Sequence, residues 1–192
     1  MPESDAIDLQ HLLKRISGDR HSDLTAEPLD RIVALLALLT GTGGFVLHGG
    51  NHPAPLNCLD PRQATDFHKA SGSLCAVYGS VDWVEVILHA LLNVGWLRDR
   101  FGSITYTYRR NGPSYDFRAD GEPGHMLWRR DPMLWSSGFV YVLDRSGFEP
   151  VEGSDTEFFS LHPQVPRTCF RIPAGLSDYI LPPSSGALRM QA

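Results

Sequence analysis

The chain has 192 residues, of which 42% are hydrophobic and 20% charged. This size and composition are typical of one globular domain with a sizeable core, and they do not suggest a disordered or fibrous protein. The formal net charge of −5 argues against a protein that holds nucleic acid chiefly through its phosphates, because such binding needs clustered lysine and arginine.

The sequence shows no pattern typical of export or of membrane insertion. Its first ten residues contain acids and no apolar run, unlike a secretory signal. The most apolar stretch, residues 32–39, is too short to span a bilayer as a helix. Three cysteines, Cys58, Cys75 and Cys169, form no metal-like pair and suit a reducing compartment. We therefore expect a cytoplasmic protein with no membrane partner.

The N-terminal part is predicted to be helical. Apolar residues recur at three- and four-residue steps in 8–16 and again in 27–39, which is typical of amphipathic helices. The second helix has Pro28 near its first turn and ends at a glycine-rich stop. We interpret residues 1–42 as a helical segment packed on the core of the protein.

The middle of the chain alternates strand and helix patterns. A short buried strand is predicted at 43–50, followed by a loop at 51–72 that is rich in proline, asparagine and aspartate. Loops of this length are uncommon unless they have a function. A second strand is predicted at 73–80, and a helix with one apolar face at 81–93.

Strands are predicted to dominate after residue 100. Alternating residues around the turn at 111–114 indicate a hairpin, and two apolar runs at 138–143 and 168–173 indicate further strands. The fold class is therefore α+β, with a core domain at residues 43–182 and a tail at 183–192.

The first predicted strand carries a histidine followed by two glycines, His48, Gly49 and Gly50. A lone histidine at this place is most simply one that satisfies a backbone group at the end of a strand. Glycines directly after a strand also let another molecule approach the backbone closely. The three residues together therefore predict a ligand site.

Three familiar kinds of site do not fit the sequence. An oxyanion turn of the hydrolase type needs a G-x-S-x-G elbow, which is absent, and so is the G-x-G-x-x-G dinucleotide fingerprint. The spacing of His48, His52, Cys58 and His68 fits no closed zinc site. We therefore expect no metal.

Three blocks of residues follow one another in the sequence: 45–49 with His48, 76–80 with Tyr78, and 138–143, 155–160 and 170–173 with Glu157. They are similar to the opening His-Gly motif, to the strand with a tyrosine before a helix, and to the final strands with a glutamate of the ADP-ribosyltransferase fold of the histidine–tyrosine–glutamate class. The resemblance covers residues 44–181, and within this class the chain is distantly similar to the rifamycin-inactivating and toxin-type mono-ADP-ribosyltransferases.

The resemblance implies a split, mixed or antiparallel sheet and a reaction that uses NAD as a substrate. The enzyme would cleave the bond between nicotinamide and ribose and pass ADP-ribose to an acceptor. It implies catalytic roles for Glu157, which stabilises the ribosyl cation, for Tyr78, which stacks on nicotinamide, and for His48, which binds a ribose. The residues implied to contact NAD are His48, Gly49, Gly50, Tyr78 and Ser80.

The chemistry agrees with these residue types. Breaking the bond between ribose and nicotinamide passes through an oxocarbenium-like state, in which positive charge develops on the sugar. A carboxylate nearby stabilises that charge and can accept a hydrogen bond from a ribose hydroxyl. An aromatic face such as that of Tyr78 suits a flat cationic ring.

Several assignments stay open at this point. Tyr78 also fits a core tyrosine, and Glu149 and Glu152 are rivals of Glu157 for the catalytic role. In several transferases of this fold the residue two before the glutamate is glutamine or glutamate and helps to select the acceptor. Asp155 stands there in this chain, and Gly50 replaces the family's small hydroxyl residue after His-Gly.

The function therefore has more than one interpretation. The preferred one is a mono-ADP-ribosyltransferase of unidentified acceptor, which could be a protein, a nucleic acid or a small molecule. With water as the acceptor, the same residues would make an NAD glycohydrolase. A non-catalytic nucleotide-binding or interaction module is the second class, and the N-terminal helices would then suit a protein partner such as an antitoxin.

Overall fold

The computed structural model describes residues 11–14, 17–63, 74–101, 105–111, 114–120 and 133–180. Four α-helices and ten strands lie wholly within these ranges. The helices are α1 (Leu29–Gly41), α2 (Trp83–Leu91), α3 (Val94–Phe101) and α4 (Ser177–Ile180). The strands are β1 (His21–Asp23), β2 (Phe45–Gly50), β3 (Arg62–Gln63), β4 (Cys75–Ser80), β5 (Thr105–Asn111), β6 (Ser114–Asp120), β7 (Gly138–Asp144), β8 (Glu149–Pro150), β9 (Glu157–Ser160) and β10 (Thr168–Ile172).

Eight of these strands form one mostly antiparallel sheet, so the chain is a mixed α+β protein as predicted. The strand order is β1-β10-β7-β2-β4-β9-β8, and β3 pairs with β4 beside this path. Among the described pairs, only that of β1 with β10 is parallel. The hairpin of β5 and β6 forms a separate two-stranded sheet.

Strand β7 lies in the interior of the large sheet and contributes to a core on each face. Residues alternate along a strand, so Val140 and Val142 point to one face and Tyr141 and Leu143 to the other. Val140 and Val142 pack with the apolar residues of α1 and α2. We call this side the helix-covered face.

The opposite side of the sheet is covered by the loop that follows β2, and we call it the loop-covered face. Tyr141 and Leu143 pack there with Leu59, and Leu56 contacts the same cluster. Leu59 also pairs with Gln164 through an isolated bridge, which ties the loop to the end of the sheet. The sheet is therefore buried on both faces near its centre.

The predicted elements of the core domain are largely confirmed. The strands at 43–50, 73–80, 138–143 and 168–173, the helix at 81–93 and the hairpin after residue 100 all have counterparts within a few residues. The predicted loop at 51–72 is wrong in one respect, because it contains strand β3. A two-residue strand has no periodicity that a sequence pattern could show.

The N-terminal segment is only partly helical. Residues 11–14 and 17–18 are helical, and α1 confirms the second predicted helix. Residues His21–Asp23, however, form an edge strand that pairs with β10. Leu24 and the apolar face of α1 belong to the same core as the sheet. Residues 1–10 and the tail at 183–192 lie outside the described residues.

None of the helices within the described ranges combines the length and the apolar character that a membrane crossing requires.

Candidate functional site

The large sheet opens between β2 and β4. These two strands share a single pair of facing residues, Leu47 and Ser80, whereas β2 and β7 stay paired along the whole of β2. Strand β3 pairs with the first half of β4, with Arg62 facing Ala76. Strand β2 therefore diverges from β4 beyond Leu47, and we call this opening the split.

His48 lies at the split and binds across it. Its Nδ1 is 2.7 Å from the carbonyl oxygen of Tyr78. Because a carbonyl can only accept, Nδ1 carries the hydrogen and Nε2 is left as an acceptor. The side chain of His48 thus joins two strands where their backbones are no longer paired.

The imidazole of His48 is uncharged at neutral pH. Burial lowers the pKa of His48 to about 4, which outweighs the opposite effect of the hydrogen bond to Tyr78. The nearby His52 and Arg62 lower this pKa further. A neutral imidazole with a free acceptor nitrogen is suited to binding a hydroxyl group.

His89 on α2 is a second imidazole near the split; it is partly buried, and it stands in no motif of the sequence. Burial lowers the pKa of His89 to about 4, His48 lowers it further and the carboxylate of Glu157 raises it. His89 is therefore close to both His48 and Glu157. The one signal in the sequence is its position four residues after Glu85 on the helix that follows Tyr78.

Glu157 is the first residue of β9 and lies directly opposite Ser80 of β4. Residues that face each other in an antiparallel pair point to the same side, so Glu157 and Ser80 share the helix-covered face with His89. The hydroxyl of Ser154 accepts a hydrogen bond from the Glu157 backbone N–H at 3.1 Å. Glu157 is partly buried, whereas its predicted rivals Glu149 and Glu152 are exposed.

Ser80 is buried, and its hydroxyl is already engaged by the chain itself. It donates to Oε2 of Glu85 at 2.6 Å and accepts from the backbone N–H of Asp82 at 2.9 Å. Glu85 is also buried, with 5% of its surface exposed. The predicted contact of Ser80 with NAD stays a prediction, and the structure gives Ser80 a clear role in holding the Glu85 carboxyl group.

The two glycines after His48 also serve the chain's own packing. Strand β2 continues through Gly50, within the predicted 43–50, so the two glycines belong to the strand and do not follow it. A Cβ atom on Gly49 would collide with the backbone of α2 at Val86 and Ala90, and one on Gly50 would collide with the His52 ring. The close approach predicted at these glycines is made by α2 and His52; contact with NAD stays a prediction.

Tyr78 is partly buried and its phenol donates to the carbonyl of Leu74 at 3.3 Å. Because alternate residues of a strand share a side, Tyr78 and Ser80 point to the same face, together with Glu157 across the pair. The stacking of Tyr78 on a ligand ring stays a prediction. Asp155, two residues before Glu157, is exposed at the surface.

The loop-covered side of the split carries two more polar side chains, Tyr141 and His52. Tyr141 faces His48 in the register of β2 and β7, with 5.9 Å between the ring centroids. His52 meets the same tyrosine edge-on at 6.3 Å. The Tyr141 hydroxyl accepts from the backbone N–H of Leu56 at 3.2 Å, and burial raises the pKa of Tyr141 to about 12.

Within the residues that the structure describes, no group of three or more histidine, cysteine or acidic side chains is placed to hold a metal ion. His68, one member of the constellation considered in the sequence, lies outside those residues. Comparisons of the chain with protein-family models, with curated proteins and with solved structures find no match.

Proposed function

We propose that the chain is an NAD-dependent mono-ADP-ribosyltransferase whose active site is the split between β2 and β4. The observation that supports this most is the meeting of one carboxylate, Glu157, with two neutral imidazoles, His48 and His89, beside an opening in the sheet. The acceptor of the ADP-ribose is unidentified.

The electrostatics of this group favour a reaction that develops positive charge. Burial lowers the pKa of His89, and the carboxylate of Glu157 opposes that change, so Glu157 contributes a negative charge in the neighbourhood of the imidazole. Neither histidine adds a positive charge at neutral pH. A ribosyl cation beside Glu157 would thus be stabilised by a charge that is in place before the reaction begins.

The proposed reaction breaks one bond at ribose C1′ and forms another. The bond between ribose C1′ and the nicotinamide nitrogen breaks, its electron pair leaves with nicotinamide, and positive charge develops on the ribose. Glu157 stabilises this charge, and a nucleophile of the acceptor then forms a bond to C1′ and loses its proton to solvent. With water as the nucleophile, the product is free ADP-ribose.

His48 and Tyr78 have binding roles in this proposal. The Nε2 atom of His48 accepts a hydrogen bond from a ribose hydroxyl, which is possible because Nδ1 is committed to the Tyr78 carbonyl. The ring of Tyr78 stacks on nicotinamide from the face that it shares with Glu157. Gly49, Gly50 and Ser80 then act mainly by holding β2 and β4 in place.

The test is nicotinamide release from NAD by the purified chain, with and without a cell lysate. Glu157→Gln keeps the size of the side chain and removes its charge, so we expect release to fall about 100-fold or more. His48→Ala should lower release about tenfold, through loss of one hydrogen bond. Glu149→Gln and Glu152→Gln are matched controls on exposed positions and should leave release unchanged.

The outcomes separate the alternative functions. If nicotinamide release needs the lysate, ADP-ribose is transferred to an acceptor in the lysate. If nicotinamide is released at the same rate without lysate, the protein is an NAD glycohydrolase. Binding of NAD without any release, in protein shown to be folded by circular dichroism, would favour a non-catalytic module. If Glu149→Gln abolishes release and Glu157→Gln does not, the proposed site is wrong.

A further inference from the structure

We propose that His89 is a ligand-binding residue of the split, and that its imidazole makes a hydrogen bond to the carboxamide of nicotinamide on the helix-covered face. The choice of nicotinamide rests on the proposed function. The position of His89 does not, because it follows from the way in which α2 packs on the sheet. His89 would thereby help to select the ligand, a role that neither a sequence motif nor the resemblance assigns to it.

Contacts near its two ends fix how α2 lies on the sheet. Near its start, Glu85 accepts a hydrogen bond from the Ser80 hydroxyl of β4 at 2.6 Å. Near its end, Ala90 packs so closely on β7 that a Cβ atom on Gly138 would collide with the Ala90 carbonyl. Strand β2 lies between β4 and β7 in the sheet. The side of the helix that carries Glu85 therefore faces β4 and the split.

His89 lies on this same side of the helix, one turn after Glu85. Residues four apart share a face of an α-helix, and four residues advance about 6 Å along its axis. The packing of β2 agrees, since a Cβ atom on Gly49 would lie 3.1 Å from the Cβ atom of His89. Continuing the single register pair of β2 and β4 by two residues brings Gly49 opposite Tyr78. His89 therefore lies on the helix-covered face, at the level of Gly49 and Tyr78.

The aromatic and acidic groups of the proposed site lie on that face too. Tyr78 stands two residues before Ser80 on β4, and Glu157 pairs with Ser80. Two residues of a strand span about 7 Å, so His89 is level with Tyr78, and Glu157 lies one position further along the same face. The pKa of His89 responds to the charge of Glu157, which agrees with this arrangement. A ring stacked on Tyr78, with its ribose at Glu157, would present its edge to His89.

Helix α2 is buried along most of its length, and His89 is an open position in it. Every residue from Val84 to Leu91 is buried except His89, which is partly exposed. Its neighbours Leu88 and Ala90 are 1% and 0% exposed. The imidazole is on the side of the helix that faces the split, so a ligand can reach it there without displacing α2.

The chemistry of an imidazole suits a carboxamide. A neutral imidazole has one N–H donor and one acceptor nitrogen, and a carboxamide offers a carbonyl oxygen and an amino group. Either tautomer of His89 can therefore bind the amide. A ligand ring without the carboxamide forgoes this hydrogen bond, so His89 would favour nicotinamide over such a ring.

The test is the affinity of the full chain for NAD and for the NAD analogue whose pyridinium ring lacks the carboxamide, measured by titration calorimetry. Both ligands are added to protein that carries Glu157→Gln, so that neither is consumed. We expect NAD to bind about tenfold more tightly than the analogue, and His89→Ala to abolish this preference. His89→Gln keeps a donor and an acceptor and should retain part of it. His162→Ala, which changes an exposed histidine, is the matched control.

ADP-ribose separates a binding role of His89 from a structural one. This ligand has no nicotinamide, so His89→Ala should leave its affinity unchanged. An equal loss of affinity for NAD, the analogue and ADP-ribose would mean that His89 only supports the fold, and the inference would be wrong.

The result can be distinguished from that of the proposed function. If His89→Ala keeps the full preference for NAD while Glu157→Gln abolishes nicotinamide release, the role of His89 is wrong and the transferase stands. If NAD is preferred through His89 and the wild type never releases nicotinamide, the role of His89 stands and the transferase is wrong. Failure to bind NAD, or equal binding of NAD and the analogue when His89 is present, would overturn the inference.

Discussion

The two edges of strand β2 differ in how far they are paired with the neighbouring strand. Along its edge with β7 every residue of β2 is paired, and the partner residues are apolar or aromatic and buried except Asp144 at the end. Along its edge with β4 the pairing stops after Leu47, and polar side chains occupy the opening. On this second edge His48 donates to the carbonyl of Tyr78, so a side chain replaces the backbone ladder.

The comparison shows how one strand can serve both stability and binding. The continuous edge supplies backbone hydrogen bonds and buried surface, and its packing tolerates little change. The open edge gives up ladder bonds, and the groups left there are neutral imidazoles, a carboxylate and an arginine. We expect mutations at the first edge to change the free energy of unfolding and mutations at the second to change binding and catalysis.

The largest effect on stability is expected at Gly138, which begins β7 against α2. A Cβ atom at this position would collide with the backbone carbonyl of Ala90, which cannot move without moving the helix. We expect Gly138→Ala to lower the free energy of unfolding by about 3 kcal/mol or more, measured by urea denaturation. Gly44→Ala is the control, because a Cβ there meets open space. Equal stability of the two variants would show that α2 does not pack on β7 as described.

A smaller effect is expected at Ser80, beside the split. Ser80→Ala removes the donor to the buried Glu85 carboxyl group and the acceptor for the Asp82 backbone N–H. We expect a loss of about 1–3 kcal/mol in the free energy of unfolding. Glu85→Gln tests the same bond from its other partner, and the double variant should lose less than the sum of the two single ones. Strict additivity would show that the two side chains are not coupled.

The buried histidines should make stability depend on pH. His48 and His89 have a pKa of about 4 in the folded chain and an ordinary value of 6.5. Between these values the unfolded chain binds protons that the folded chain does not, so stability is complete above pH 6.5 and falls as the pH is lowered towards 4. Each histidine contributes at most roughly 1.4 kcal/mol per pH unit.

The measurement is the free energy of unfolding between pH 7 and pH 4 in the wild type and in His89→Gln. The variant should show a shallower fall because one buried imidazole is gone. His162→Gln, which changes an exposed histidine, is the control. If the two variants give the same slope as the wild type, His89 is not kept neutral by burial.

The smallest effect is expected at the ion pair between Arg167 and Asp144, at the exposed end of the edge that β2 shares with β7. The Nε atom of Arg167 lies 2.8 Å from the Asp144 carboxylate, but the two side chains are 66% and 46% exposed. Water screens such a pair, so Arg167→Gln should leave the melting temperature unchanged within error. A clear fall in melting temperature would mean that this pair holds the end of β7 more firmly than its exposure implies.

Much of the secondary structure could be predicted because its signals are local. The run at 138–143 is apolar throughout, as expected of an interior strand, and the 3.6-residue spacing in α1 and α2 marks their buried faces. The hairpin of β5 and β6 follows from alternation on either side of a turn.

The candidate site could be predicted only in part. His48, Tyr78 and Glu157 were chosen through a resemblance, and they lie on the neighbouring strands β2, β4 and β9. His89 and Arg62 were missed, because neither stands in a motif and each matters only through residues far away in sequence. The glycines were interpreted as openings for a ligand, whereas Gly49 mainly admits α2.

The amino-acid pattern alone establishes an α+β protein with a buried central strand, an amphipathic helix after Tyr78 and a hairpin after residue 100, because each of these depends on neighbours within a few residues. The tertiary structure decides where β2 parts from β4, that Glu157 lies opposite Ser80, and that Arg62 lies on a strand paired with β4. These features depend on the register between distant strands and on burial, and both arise only when the whole sheet and its covering helix are assembled.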